Sequence, residues 1–152
     1  MKKSAISLIS SLLILGTITP AMAASKNVII NANVVGTCAF VSDVDVTINL
    51  GDLKAGSGDK TQQGDAQFWC SNGVPYTLSA NDGQNAAGSQ KNMKSGSDLL
   101  PYDLALSKTS GTGAGISSPD SVKLTATVLE SAINVAPVQA GYTDTVVLTL
   151  TP

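Results

Sequence analysis

From Lys26 onward, apolar and polar residues alternate in short segments separated by stretches rich in Gly, Asn, Asp and Ser. In "KNVIINANVV", Val28, Ile30, Ala32 and Val34 share one side, and Asn27, Asn31 and Asn33 lie on the other. "DVDVTINL" repeats the pattern at Val44, Val46, Ile48 and Leu50. "LLPYDLALS" does so at Leu100, Tyr102, Leu104 and Leu106, and "SVKLTATVLE" at Val122, Leu124, Ala126 and Val128. "AQFWCSNGVPYTLSA" reads as a longer strand bent near Asn72-Gly73 and Pro75. The closing "GYTDTVVLTLTP" puts Tyr142, Asp144, Val146, Leu148 and Leu150 on one face and threonines with Val147 on the other. A period of two marks strands with one buried face. Residues 51–65 and 81–92 read as loops, 108–120 as a loop or weak hairpin, and 131–142 as a lead into the last strand. No segment after the leader has a helical apolar period. Six or seven short strands punctuated by turns predict a single all-β domain, a β-sandwich.

The first 23 residues follow another rule. Lys2 and Lys3 precede an apolar run from about Ile6 to Ile18, and Ala21-Met22-Ala23 is a small-x-small cleavage site. This predicts a secretory signal peptide over 1–23 and a mature chain of 129 residues. Removing Lys2 and Lys3 leaves seven lysines and no arginine against eleven acids, a formal charge of −4. That balance offers no basic patch for nucleic acid. The chain has no histidine, which removes the commonest general base and metal ligand. Cys38 and Cys70 are its two cysteines, and export to an oxidising compartment predicts that they pair.

Candidate chemistry is thin. "GSGDKT" at 56–61 fails as a phosphate loop because Asp59 separates Gly58 from Lys60 and a strand follows. Ser57 and Lys60 have the spacing of a Ser/Lys pair, which works only on a helix. Asp43, Asp45, Asp52, Asp59 and Asp65 are too scattered for a calcium loop. Trp69, the single tryptophan, reads as packing beside a disulfide sooner than as a sugar platform. Asp144 stands on the apolar face of its strand and reads as a structural acceptor for a turn or for backbone amides. No set of residues forms a catalytic, cofactor or metal site.

What remains is strand pairing. The last strand has no successor to cover its free edge, and an alternating segment stands ahead of the first cysteine. An exposed edge invites another chain, and the segment at the N-terminus of a neighbouring copy fits that role as an added strand.

Four pieces, in order, carry a family resemblance: the alternating segment running into "GTCAF"; "FWC" followed by "YTLSANDGQN"; "KNMKSGSDLLPYDLALS"; and "VLESAINVAPVQAGYTDTVVLTL". The chain resembles the spore coat protein U domain, the domain of the archaic class of chaperone–usher pilus subunits, over most of its mature length. It departs from the pattern at Lys91, where arginine is usual, at Leu129-Glu130, where an aromatic-glycine element is common, and in the aromatic-poor stretch 108–121. The resemblance implies an incomplete immunoglobulin-like β-sandwich lacking its last strand and completed by donor-strand complementation. Residues 24–36 would hold the donor strand, with Val28, Ile30, Ala32 and Val34 as inserted side chains, and 37–152 the pilin domain. Val146, Leu148 and Leu150 would line one wall of an acceptor groove, and Val44, Val46 and Ile48 the other. Cys38–Cys70 would tie the first strand of the domain to the second. The implied partners are neighbouring subunits, a periplasmic chaperone and an outer-membrane usher, with export through the periplasm to a surface pilus that serves adhesion and biofilm formation. A single domain fits a shaft subunit or small adaptor better than a two-domain tip adhesin. The competing reading is a monomeric secreted binding module closed by its own N-terminal strand.

Overall fold

The computed structural model describes residues 22–152. The predicted signal peptide over 1–23 lies outside the described residues except for Met22 and Ala23. Residues 22–33 belong to a unit separate from 34–152 and form no helix or strand. The alternating segment 26–35 thus forms no strand within this chain. Its apolar side chains are out in solvent: Val28 is 81%, Ile30 88% and Val34 97% exposed, and Ala32 is exposed as well.

Residues 34–152 form a nearly all-β sandwich of two antiparallel sheets, as the alternation predicts. The strands are β1 (Cys38–Phe40), β2 (Lys60–Cys70), β3 (Pro75–Ala80), β4 (Lys91–Ser95), β5 (Asp98–Leu106), β6 (Ser110–Thr112), β7 (Asp120–Val128) and β8 (Leu148–Thr151), with one short helix, α1 (Glu130–Ile133), after β7. One sheet has the order β1-β2-β7-β5-β4 and the other β6-β3-β8. Among the described residues no helix is long and apolar enough to cross a membrane.

The two-residue period does what the alternation predicts. Val122, Leu124, Ala126 and Val128 of β7 are buried, and so are Leu100 and Tyr102 of β5. Two clusters form the core. The first joins Ala66, Phe68 and Cys70 to Val122 and Leu124 across one sheet and to Tyr76 and Leu78 of the other. Phe68 and Tyr76 meet edge to face with centroids 5.0 Å apart, a favoured aromatic geometry. The second joins Leu100, Tyr102, Ala126 and Val128 to Leu50 and to Ile133 of α1. The Cys38–Cys70 disulfide forms, linking directly opposed residues of β1 and β2.

Several boundaries differ from the sequence reading. β2 begins at Lys60, inside the expected loop 51–65, because each residue from Lys60 to Phe68 has a partner on β7. Pairing along a complete neighbouring edge overrides the weak strand preference of "KTQQGD". β2 and β3 are two strands that part at the 71–74 turn, so the bend expected there is a full break. Lys91 and Asn92 enter β4 against Tyr102 and Pro101 instead of ending a loop. The lead-in 131–142 contains most of α1, whose four residues are too few to show a helical period.

The largest departures concern the two segments that matter most below. "DVDVTINL" keeps its predicted inner face only in its second half, where Ile48 is half-buried and Leu50 buried, while Val44 and Val46 are exposed, and it joins no sheet. The predicted final strand has the correct inner face from Tyr142 to Leu150, but only Leu148–Thr151 pairs in a ladder with β3.

Candidate functional site

Between those two segments lies a groove of about 750 Å³. One wall is 44–48, where Val46 and Ile48 lie over Gly64 of β2 and Val44, Asp45 and Thr47 also line the groove; the other carries Val146 and Leu148, continuing from Tyr142 and Asp144. The floor comes from the large sheet: Ala66 of β2, Tyr102 and Leu104 of β5, Leu124 and Ala126 of β7. Leu150, expected on the second wall, does not line the groove. It pairs opposite Leu78 and packs into the first core cluster. Its parity is that of Val146 and Leu148, but nearer the end of β8 it packs against the first cluster, beyond the groove.

The walls run in opposite directions. Phe40 and Leu148 both pack on the first cluster, and β1 approaches β8. Leu50 and Tyr142 both pack on the second. Wall 44–48 therefore runs from the first cluster toward the second, and wall 142–150 runs back.

Both walls have open backbone edges. Among the described residues, none of 43–50 makes a backbone–backbone hydrogen bond; the Val44 N–H donates only to the nearby Ser42 Oγ, and the Asn49 side chain accepts from Gly51 N. On the other wall the bonds alternate. Thr143 exchanges two with Lys94, Thr145 O accepts from Gln84 N, and Val147 O accepts from Asn81 N. Alternate residues of a strand point their N–H and C=O groups to opposite edges. The even residues, Asp144 and Val146, thus turn theirs toward the groove, where they have no backbone partner among the described residues.

The glycine at position 64 sets how deep the first wall sits. A Cβ there would lie 2.6 Å from Val46 Cγ1 and 3.0 Å from Ile48 Cγ1. Only a bare backbone lets 44–48 cross β2 this closely.

The second wall is held from behind by polar groups. Beyond Ala80, where β3 stops, loop 81–85 takes over as its partner. Asn81 Oδ1 accepts from Val147 N at 2.9 Å. The Asp144 carboxylate accepts from Gln84 N (3.0 Å), Asn85 N (3.2 Å) and Asn85 Nδ2 (3.0 Å) on one oxygen, and from the Tyr102 hydroxyl (2.7 Å) on the other. Burial first, and then the Asp144 carboxylate, keep the Tyr102 phenol protonated well above the ordinary tyrosine range, so it remains a donor. The sequence reading of Asp144 as a backbone acceptor matches this geometry. Its partners lie 42 to 60 residues away in sequence, and nothing local announces them.

The other candidates are structural. Ser57 Oγ donates to Lys54 O in a turn. Asp59 Oδ1 accepts from Glu130 N at 2.8 Å, at the start of α1. Trp69 is half-buried opposite Ala39. Among the described residues no three acids, cysteines or histidines gather as a metal site.

The sequence matches the family model of the Spore Coat Protein U domain over residues 24–149. No curated protein matches it. Among solved structures it is similar to a chain of the CsuC–CsuE chaperone–tip adhesion subunit pre-assembly complex from the archaic chaperone–usher Csu pili of Acinetobacter baumannii, with 24% identity and a TM-score of 0.41 over 78% of this chain and 40% of that one. It is also similar to a chain of a chaperone–tip adhesin complex of CFA/I fimbriae biogenesis, with 16% identity and a TM-score of 0.43 over 77% of this chain and 41% of that one. The chain thus spans about two fifths of the length of each of these solved chains.

Proposed function

The chain belongs to the Spore Coat Protein U domain family, and from that premise we propose that it is a structural subunit of a chaperone–usher pilus or fimbria, polymerising by donor-strand exchange. The observation that carries this reading is the groove: an apolar floor between two oppositely directed walls whose facing backbone edges are both unpaired. A single strand laid between them would pair with both edges, about 4.8 Å from each. It would run parallel to one wall and antiparallel to the other. Its alternate side chains would meet Ala66, Leu104, Leu124 and Ala126, and its outer ones would meet water. A defect of this shape asks for an extended segment with apolar residues at every second position.

Residues 24–36 have that pattern. Val28, Ile30, Ala32 and Val34 share a parity, and the first two and the last are more than four-fifths exposed. Each Val or Ile moved from water into a core contributes roughly 1.5–3 kcal/mol. The segment of a neighbouring copy would fill the groove, and the free segment of the filled copy would reach the next. In the periplasm a chaperone would lend a strand until an outer-membrane usher drives the exchange, and the product would be a surface fibre for adhesion and biofilm formation. The unit of function in this reading is the completed core, not a reacting centre.

The test is assembly. Size-exclusion chromatography with light scattering and unheated gel electrophoresis should show SDS-resistant ladders for the signal-free chain, and none after deletion of 24–35 or in Ile30→Asp. Ile30→Asp should still be recovered bound to its chaperone. Normal ladders from Ile30→Asp would sink the proposal, and a stable chaperone-free monomer of the unaltered chain would turn it toward a self-closed binding module.

A further inference from the structure

We propose that Asp144 is a positioning residue that sets the 142–147 wall in its strand-accepting place before any strand arrives. This rests on the donor-strand reading of the groove.

The wall faces an unusual problem. A strand in a sheet interior is held along both edges, but this one has its groove edge empty, and β3 supports it from behind only as far as Leu148. From Thr143 to Val147 the support is discontinuous: a two-bond bridge from Thr143 to Lys94, one bond from Gln84 N to Thr145 O, and the Asn81 pair at Val147. Asp144 sits within this stretch and accepts four hydrogen bonds, three from donors not yet counted and one from the Gln84 N–H that it shares with Thr145 O. They come from two directions. Gln84 and Asn85 belong to the loop behind the wall, whereas Tyr102 rises from β5 in the groove floor. One carboxylate thereby fixes the wall both to its flank and to the large sheet, which sets its height above the floor. No lysine shares the carboxylate among the described ion pairs. The loop is shaped to admit it. Gly83 has φ of +87°, and a Cβ there would fall 2.0 Å from Asp144 Oδ2. Loop 85–90 is itself secured by buried Asn92, whose Nδ2 donates to Asn85 O and Gln90 O.

The consequence is kinetic. The lock is made in both the empty and the filled groove, so it does not weaken or strengthen the contacts of a strand already in place. Without it the empty wall spends part of its time displaced, and a donor can dock only onto the fraction that is in place. Loss of the lock therefore lowers the capture rate and leaves the release rate unchanged. A side chain that packed against the donor, or that merely stabilised the fold, would not produce this split.

The experiment uses the full signal-free chain carrying Ile30→Asp, so that its own copies do not compete, and a fluorescent synthetic peptide of residues 24–36 as the probe. Association and dissociation are read by stopped flow. Asp144→Ala should lower the association rate on the order of tenfold or more, with the dissociation rate within about twofold. Asp144→Asn, which keeps an acceptor oxygen for the loop amides, should recover part of the loss. Tyr102→Phe removes one hydroxyl and should cost severalfold. If Asp144→Ala does not fold, Asp144→Asn and Tyr102→Phe carry the test. Unchanged association in the folded variants, or a loss that appears in dissociation instead, overturns the proposal while the donor-strand reading stands. Failure of the peptide to bind the chain that retains Asp144 overturns both.

Discussion

Gly64→Ala adds one methyl where the first wall crosses β2. That carbon would lie 2.6 Å from Val46 Cγ1 and 3.0 Å from Ile48 Cγ1, against a comfortable carbon–carbon separation of about 3.5–4.0 Å. The wall must therefore rise by about 1 Å to clear it. Over-packing of this kind costs about 1–3 kcal/mol, offset by about 0.4–1 kcal/mol because alanine loses less backbone freedom than glycine on folding. With the groove empty the wall can give way, since Val46 is 41% exposed and 43–50 has no ladder to break. The net loss there should be near the low end, about 1 kcal/mol. With a donor strand in place the wall is pinned from the groove side, and the loss should rise to about 2–3 kcal/mol. The assay is urea unfolding of the full chain followed by Trp69 fluorescence, with and without saturating 24–36 peptide. The difference should also appear as peptide affinity weakened roughly 5- to 30-fold. A variant as stable as the parent, or equal losses in the two states, would refute the reasoning that the close crossing at Gly64 sets how deep the first wall sits.

Three further outcomes are expected. Phe68→Ala empties the centre of the first cluster, where Phe68 is 0% exposed and meets Tyr76, and should cost about 3–5 kcal/mol by denaturant titration. Cys70→Ser opens the loop of sequence separation 32 and should cost about 3–4 kcal/mol, visible as the same drop in the unaltered chain under reductant. Stability should fall at both ends of the pH scale. Lys108 chiefly, helped by Tyr76 and the Ser121 amide, holds the Asp120 carboxyl below its ordinary value, so its contribution is present above about pH 4 and is lost as pH falls through the lowered folded value. Lys108→Gln should shrink that acid-side loss. Burial first, and then Asp120, push the Tyr76 hydroxyl up to about 12 from 10.0. Its contribution is therefore full below pH 10 and lost as pH rises toward 12, and Tyr76→Phe should flatten that limb of the urea-midpoint profile.

The sequence by itself determined which side of each strand faces the core. Val122, Leu124, Ala126 and Val128 declare it through their spacing, and so do Tyr142 through Leu150, because a strand's two faces are fixed by the geometry of adjacent residues. It also led to the pairing of Cys38 with Cys70, and the family is written in its motifs. Tertiary structure alone decided which of the alternating segments would become strands of a sheet. Polar "KTQQGD" joins β2 because β7 offers it a complete edge, and "DVDVTINL" joins none because the fold brings no strand edge to it. Alternation is a property of neighbours along the chain, whereas a ladder needs a second edge brought from far away. The same distinction explains Asp144. Its parity was legible, but the Tyr102 hydroxyl and the amides of Gln84 and Asn85 reach it only after three distant segments have met. It explains Leu150 too, whose spacing matches its neighbours on the wall but whose place in the first core cluster was supplied by the fold.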